Sequence, residues 1–232
     1  MKPRPWFVAL CAAAALGACA QSQQARETEA ASGFLGDAYP MLHEGSAGEA
    51  LLVYRKDGVN WAGYRQAHLA PVTIWATDAS AFQDFSPADR QALANRFYAV
   101  TYAELEKDYQ MVGAPGPGVL EVQLALTDAQ ASNPALDTVS TVMPIGLAAS
   151  TLTGVVTGKP SFVGEAQAEG RVLDGASGEL LAAAVDRRVG GKSIADSVDS
   201  WGDVEAAFQH WAQQLRYRLC TDRGAGGCVP PE

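Results

Sequence analysis

Histidine is scarce, with three in 232 residues, and the motifs that turn histidine, cysteine or serine into catalysts are missing. No Gly-x-Ser-x-Gly elbow, His-Glu-x-x-His helix or Cys-x-x-Cys pair occurs, so the common hydrolase, zinc-protease and thioredoxin signatures are excluded. His43, His68 and His210 have no metal-ligand spacing and read as solvated or internally satisfied side chains. No cofactor or metal is expected. Basic charge is also short: 17 Lys and Arg stand against 26 Asp and Glu, a formal charge of -9, which opposes nucleic-acid binding and attraction to anionic lipid. Long apolar runs are lacking too. The longest, Trp6 to Leu16, is too short to span a bilayer.

What is present begins at that run. Residues 1–20, MKPRPWFVALCAAAALGACA, place two basic residues before the apolar stretch and end it in Leu16-Gly17-Ala18-Cys19. This is the layout of a signal peptide closing in a lipobox, with cleavage between Ala18 and Cys19 and diacylglycerol attached to the Cys19 thiol. The other reading of Ala18-Cys19-Ala20 is ordinary secretory cleavage after Ala20. Loss of Lys2 and Arg4 with the leader would leave 15 basic against 26 acidic residues, a charge of -11. Two or three acyl chains, palmitate among them, hold a protein stably at a membrane where one chain would not. Ala20, rather than Asp, follows Cys19, which favours the periplasmic side of the outer membrane over inner-membrane retention.

Residues 21–32, QSQQARETEAAS, carry no large apolar side chain and read as a flexible tether with a reach of roughly 20 Å. At the other end, Cys220 and Cys228 flank a glycine-rich stretch, and an oxidising periplasm would close them into a disulfide. Two free thiols are the alternative. The resulting division is leader 1–18, lipidated N-terminus and tether 19–32, a single domain 33–220, and a disulfide-closed tail 221–232.

Within the domain, Val72, Ile74 and Ala76 alternate as in a strand. Ser86-Pro87-Ala88-Asp89 supplies an N-cap, a first-turn proline and an early acid for a helix running to about Lys107. Leu120, Val122, Leu124 and Leu126 predict a second strand with one wet face, and 162–190 a hairpin turning through 174–179. Pairing Val172 with Leu181 would set Glu165 opposite Arg188 and Gln167 opposite Asp186. The small face of Ala166, Ala168 and Gly170 would let a helix lie close. Ser200 is placed to cap a final helix carrying Val204, Phe208, Trp211, Leu215 and Leu219. The expected fold is α/β (α+β): a two-layer mixed or antiparallel sheet with two main helices packed on one face. The stretch 138–159, uncharged before its terminal Lys, broken by Pro144 and rich in Thr, Ser and Gly, reads as a loop or short helix over the sheet; a membrane-inserting or partner-binding hairpin is the alternative, and disorder the remaining one.

Two constellations touch on chemistry. Gly190-Gly191-Lys192-Ser193 ends like a phosphate-binding loop, but Asp186 occupies the position of its first glycine, and no apolar helix begins at Lys192. Glu121, Glu165, Glu169 and Asp186 are placed to share one strand face, as paired carboxylates do in glycoside hydrolases. A solvated face balanced by Arg171 and Arg188 accounts for them without catalysis.

The segments Ser32 to Asp37, Ala70 to Trp75, Pro115 to Gly118 with Leu120 to Asp128, Asp174 to Gly191 (DGASGELLAAAVDRRVGG) and Trp201 to Phe208, with Trp211 and Leu215, resemble the DUF3313 family of bacterial lipoproteins, a domain of unknown function. The resemblance implies an envelope lipoprotein and brings no catalytic residues. No catalytic residue is assigned, and no enzyme is expected. The expectation is a non-enzymatic adaptor or accessory factor, membrane-bound through its lipid, with an envelope-protein or cell-wall partner and no nucleic acid. An oligomeric secretion or pore accessory component is the alternative, and a periplasmic hydrolase the third reading.

Overall fold

The computed structural model describes residues 22–29, 31–78, 80–130, 164–190 and 201–231. The expected leader, Ala18, Cys19, the stretch 138–159, Lys192, Ser193 and Ser200 lie outside them. Among the described residues no helix is long and apolar enough to cross a membrane.

Helix α1 spans Pro87–Leu105, where the sequence placed it. Ser86 is extended, and its hydroxyl accepts the Asp89 amide at 3.2 Å, satisfying a first-turn donor. Leu93, Phe97, Thr101 and Leu105 recur every four residues and are buried. Helix α2 spans Gly202–Asp222; Trp201 is its cap residue, and Ser200, expected as the cap, lies outside the described residues. Phe97 of α1 stacks on Phe208 of α2 at 4.8 Å, and its ring lies 5.7 Å from Trp211. Each such ring removed from water stabilises the domain by about 1.5–3 kcal/mol. At the far end, Arg216 reaches Asp108 at 2.7 Å and Glu104 at 3.6 Å, tying the two helices electrostatically.

Among the described residues the sheet has nine strands, seven of them in the order β2 (His43–Glu44), β3 (Leu52–Arg55), β9 (Leu180–Val189), β8 (Glu165–Asp174), β7 (Val119–Gln130), β4 (Gln66–Leu69) and β6 (Gln110–Met111). Beside this path, β1 (Gln23–Gln24) extends the β9 edge beyond β3, and β5 (Thr73–Ile74) pairs with β7 beyond β4. Pairings around β7–β8–β9 and β3 are antiparallel, whereas β4 and β5 join β7 parallel; the sheet is mixed and does not close into a barrel. The strand read at 72–76 is thus only two residues long. Both helices pack on one face, over Leu126, Ala129, Ala166 and Ala168 at one end and Leu120, Val122 and Val172 at the other.

The β8–β9 hairpin forms as anticipated, but its register differs by one. A bulge between Val172 and Leu173 pairs Val172 with Ala182, Glu165 with Val189 and Gln167 with Arg187. Asp174 holds the turn, its carboxylate accepting the Ala176 and Ser177 amides and the Tyr64 hydroxyl, and Gly178 supplies the φ of +72°. These donors hold the Asp174 carboxyl down at about 2. Because strand side chains alternate, the slip of one transfers Asp186 to the helix side and leaves Arg187 beside Glu165.

Residues 22–29, expected as part of a free tether, instead follow the sheet. Gln23 and Gln24 pair with Val189 and Arg188, and the Arg188 guanidinium donates to the Ser22 hydroxyl at 2.7 Å and to its carbonyl. Glu29 meets Gln167 through its amide and Arg187 through its carboxylate. Apolar burial could not have ordered this segment, but buried polar side chains on the sheet that require partners do. Beyond it, Phe34, Leu35 and Ala38 cover Ala125, Ala183 and Val185 on the face opposite the helices.

Candidate functional site

The carboxylates that the sequence set on one face are divided by the register. Glu121, Glu165 and Glu169 share the face opposite the helices, while Asp186 lies under α2. Nor is that face wet. Glu165, Gln167 and Glu169 are buried beneath the N-terminal segment, and each is engaged there. Glu165 pairs with Arg187 at 2.9 Å; Glu169 accepts the Tyr39 hydroxyl at 2.6 Å and the Ser32 amide. Burial, then the bond to Glu169, raises the Tyr39 pKa. Arg171 donates to Gln123 and lies over the Phe34 ring at 4.8 Å, so it pins the covering segment rather than facing solvent. Glu169 is thus an acceptor that holds Ser32 and Tyr39 down, while Glu165 pairs with the Arg187 guanidinium that also meets Glu29.

Asp186 does the corresponding work on the helix side. One oxygen accepts the Trp211 indole N–H at 2.7 Å; the other accepts Gln24 Nε2 at 2.7 Å and the Leu51 amide at 3.0 Å. Three elements distant in sequence therefore converge on one carboxylate. Arg188 lies 4.0 Å away, and burial lowers its pKa against the opposing influence of Asp186.

Between this network and the helices is a cavity of about 180 Å³. Its floor is the small-residue surface of Ala168, Gly170, Ala182 and Ala184, and its roof is Phe97, Thr101, Trp211 and Leu215. The small residues do bring α2 against the hairpin, Ala166 and Ala168 packing with Ala207 and Phe208, but farther along they leave space. The Trp211 indole, fixed by Asp186, and the Phe97 ring stand between the helices and the floor, and methyl-sized floor residues do not fill the remaining space. Val53, Val122, Leu124 and Trp61 complete the apolar wall. The rim is charged and balanced: Arg55 pairs with Asp222, and Arg218 with Glu49 at 3.3 Å. Burial raises the Asp222 pKa, with Arg55 and Arg218 opposing. The Gly48 carbonyl, accepting from Gln214 and Arg218, draws the β2–β3 turn against α2 beside the opening. No motif announced this site, because its walls come from four strands, both long helices and Trp61; the one trace in the sequence is the run of Ala and Gly along the hairpin.

The other sequence candidates fall elsewhere. His43 and His68 lie on separate strands, and among the described residues no cluster of three His, Cys, Asp or Glu has metal-holding geometry. Gly190, from the loop resembling a phosphate site, is pressed against the Asp203 carboxylate, which a Cβ at that position would overlap. Asp203 also accepts the Gly164 amide at 2.8 Å, so the glycine's smallness serves the junction between hairpin and α2. Cys220 and Cys228 form the anticipated disulfide, with their Cα atoms 5.7 Å apart.

A family model described as a protein of unknown function (DUF3313) matches residues 30–215. No curated protein matches the chain. Among solved structures, a variant PelC dodecamer from Paraburkholderia phytofirmans superposes with a TM-score of 0.39 at 10% identity, covering 75% of this chain and 97% of its own. A second PelC dodecamer from the same organism gives 0.38 at 10% identity, over 75% and 96%. At this level the likeness says nothing about what the chain described here does.

Proposed function

We propose that this chain, which belongs to the DUF3313 family of proteins of unknown function, is a lipid-anchored envelope protein on the periplasmic side of the outer membrane that works by contact rather than catalysis. The observation that carries the reading is the Leu16-Gly17-Ala18-Cys19 sequence lying three residues ahead of a fastened strand. Three residues span at most about 10 Å. With Ser22 clamped by Arg188, an acyl group on Cys19 would hold the β1–β9 edge close to the headgroups, in a restricted orientation. A domain so held presents its remaining surface to neighbours, which suits an adaptor with a protein or cell-wall partner. The carboxylates at Glu165, Glu169 and Asp186 support the non-enzymatic reading, since each already serves buried donors of the fold.

Cell fractionation tests the anchor. Cys19→Ser should leave the membrane fraction for the soluble periplasm, and intact-mass measurement of the parent should show added fatty acyl groups. Identical fractionation of variant and parent, or a parent mass without acyl groups, would overturn the proposal. Arg188→Met tests the fastening: trypsin should cut at Arg26 several-fold faster than in the parent while the rest of the domain resists. Unchanged cleavage would mean that Arg188 does not hold the strap. In-cell crosslinking then identifies the neighbours, and a chain with no reproducible neighbour would count against the adaptor role.

A further inference from the structure

We propose that the cavity beneath α2 binds a neutral, mostly apolar small molecule, an alkyl chain or ring of about six to eight carbons with one oxygen that meets Thr101. This inference does not depend on the lipid anchor. Size is the first ground: about 180 Å³ exceeds the roughly 150 Å³ in which an engineered protein cavity takes up benzene. Access is the second. Leu124, Gly170, Ala182 and Ala184 line the space and remain partly accessible to solvent, although two helices pack on their side of the sheet.

Thr101 supplies the third and most specific ground. It is fully buried in α1, lines the cavity, and its hydroxyl has no hydrogen-bond partner. A helical threonine ordinarily returns its hydroxyl to the carbonyl one turn back, and a buried hydroxyl without any partner is costly. An oxygen on a bound molecule would satisfy it. The Trp211 indole, oriented by Asp186, would pack against the ligand's carbon skeleton. Charge selects the class of ligand: at the rim Arg55 and Arg218 are already neutralised by Asp222 and Glu49, so neither a carboxylate nor an ammonium gains a free counter-charge.

Titration of 1-octanol and octanoate into the full chain carrying Cys19→Ser, in detergent-free buffer, tests this through the fluorescence of the wall residues Trp61 and Trp211 and through Tm. Octanol should bind saturably, raise Tm, and bind at least tenfold more tightly than octanoate. Ala184→Leu fills the space and should weaken octanol at least tenfold with Tm unchanged or higher. Thr101→Val keeps the volume and should weaken octanol about fivefold while leaving toluene, which has no oxygen, unaffected. A linear response in the parent, octanoate equal to octanol, or undiminished octanol binding by Ala184→Leu would overturn the proposal. Should Ala184→Leu fail to fold, Thr101→Val decides: equal effects on octanol and toluene would refute the hydroxyl's role and the site with it.

Discussion

Asp186→Ala is the substitution for which the structure predicts the largest effect. The residue is 4% exposed, and its carboxylate accepts from Trp211 on α2, Gln24 on β1 and the Leu51 amide just before β3. Gln24 is exposed and finds water when released, at little loss. The buried Trp211 indole does not and the half-buried Leu51 amide does so only in part, and an unsatisfied buried donor costs about 1–3 kcal/mol. Arg188 also loses a neighbouring negative charge. The total, about 3–5 kcal/mol, is a large part of the roughly 5–15 kcal/mol that keeps a domain folded. Urea unfolding should show a lower midpoint with unchanged slope, and near-ultraviolet circular dichroism should report a less ordered Trp211. Asp186→Asn retains an acceptor oxygen and should lose about half as much. A double-mutant cycle with Trp211→Phe should give a coupling of about 1–2 kcal/mol. A loss below about 1 kcal/mol for Asp186→Ala, or no coupling, would refute the claim that this carboxylate joins strap, strand and helix.

Two further outcomes follow from other parts of the fold. Reducing the Cys220–Cys228 bridge, or replacing both cysteines by serine, should lower stability by about 2.5 kcal/mol in urea titration, the chain-entropy figure for so short a loop. Asp174, held at about 2 in the fold against 3.8 unperturbed by the Tyr64 and Ser177 donors, contributes stability that is present above pH 4. That contribution disappears as pH falls from about 4 to 2, and Asp174→Asn should flatten the acid limb of the stability profile within that window.

Local chemistry made α1 legible: a serine cap, a first-turn proline and a buried residue every fourth position are all encoded within twenty residues. The β8–β9 hairpin was legible for the same reason, through strict alternation on both arms and a turn rich in Asp, Gly and Ser. Its register was not, since a single bulge at Val172 and Leu173 changes every partner downstream. Strands β3 and β4 escaped notice as well. Leu51-Leu52-Val53-Tyr54 is a strand-like run that could have been read, whereas β4 is four residues of mixed character made a strand by its parallel neighbour β7.

The chain's composition, the expectation of a leader closed by a lipobox, both long helices and the central hairpin rest on contiguous residues, so the sequence by itself determined them or the expectation of them. What covers the second sheet face, why buried polar side chains hold a strap that has no large apolar residue, and where space remains beneath α2 were decided only in three dimensions. The physical reason is that polar satisfaction and packing are sums over neighbours. Asp186 meets partners 25 to 162 residues away, and a cavity is defined by atoms that no stretch of sequence lists together.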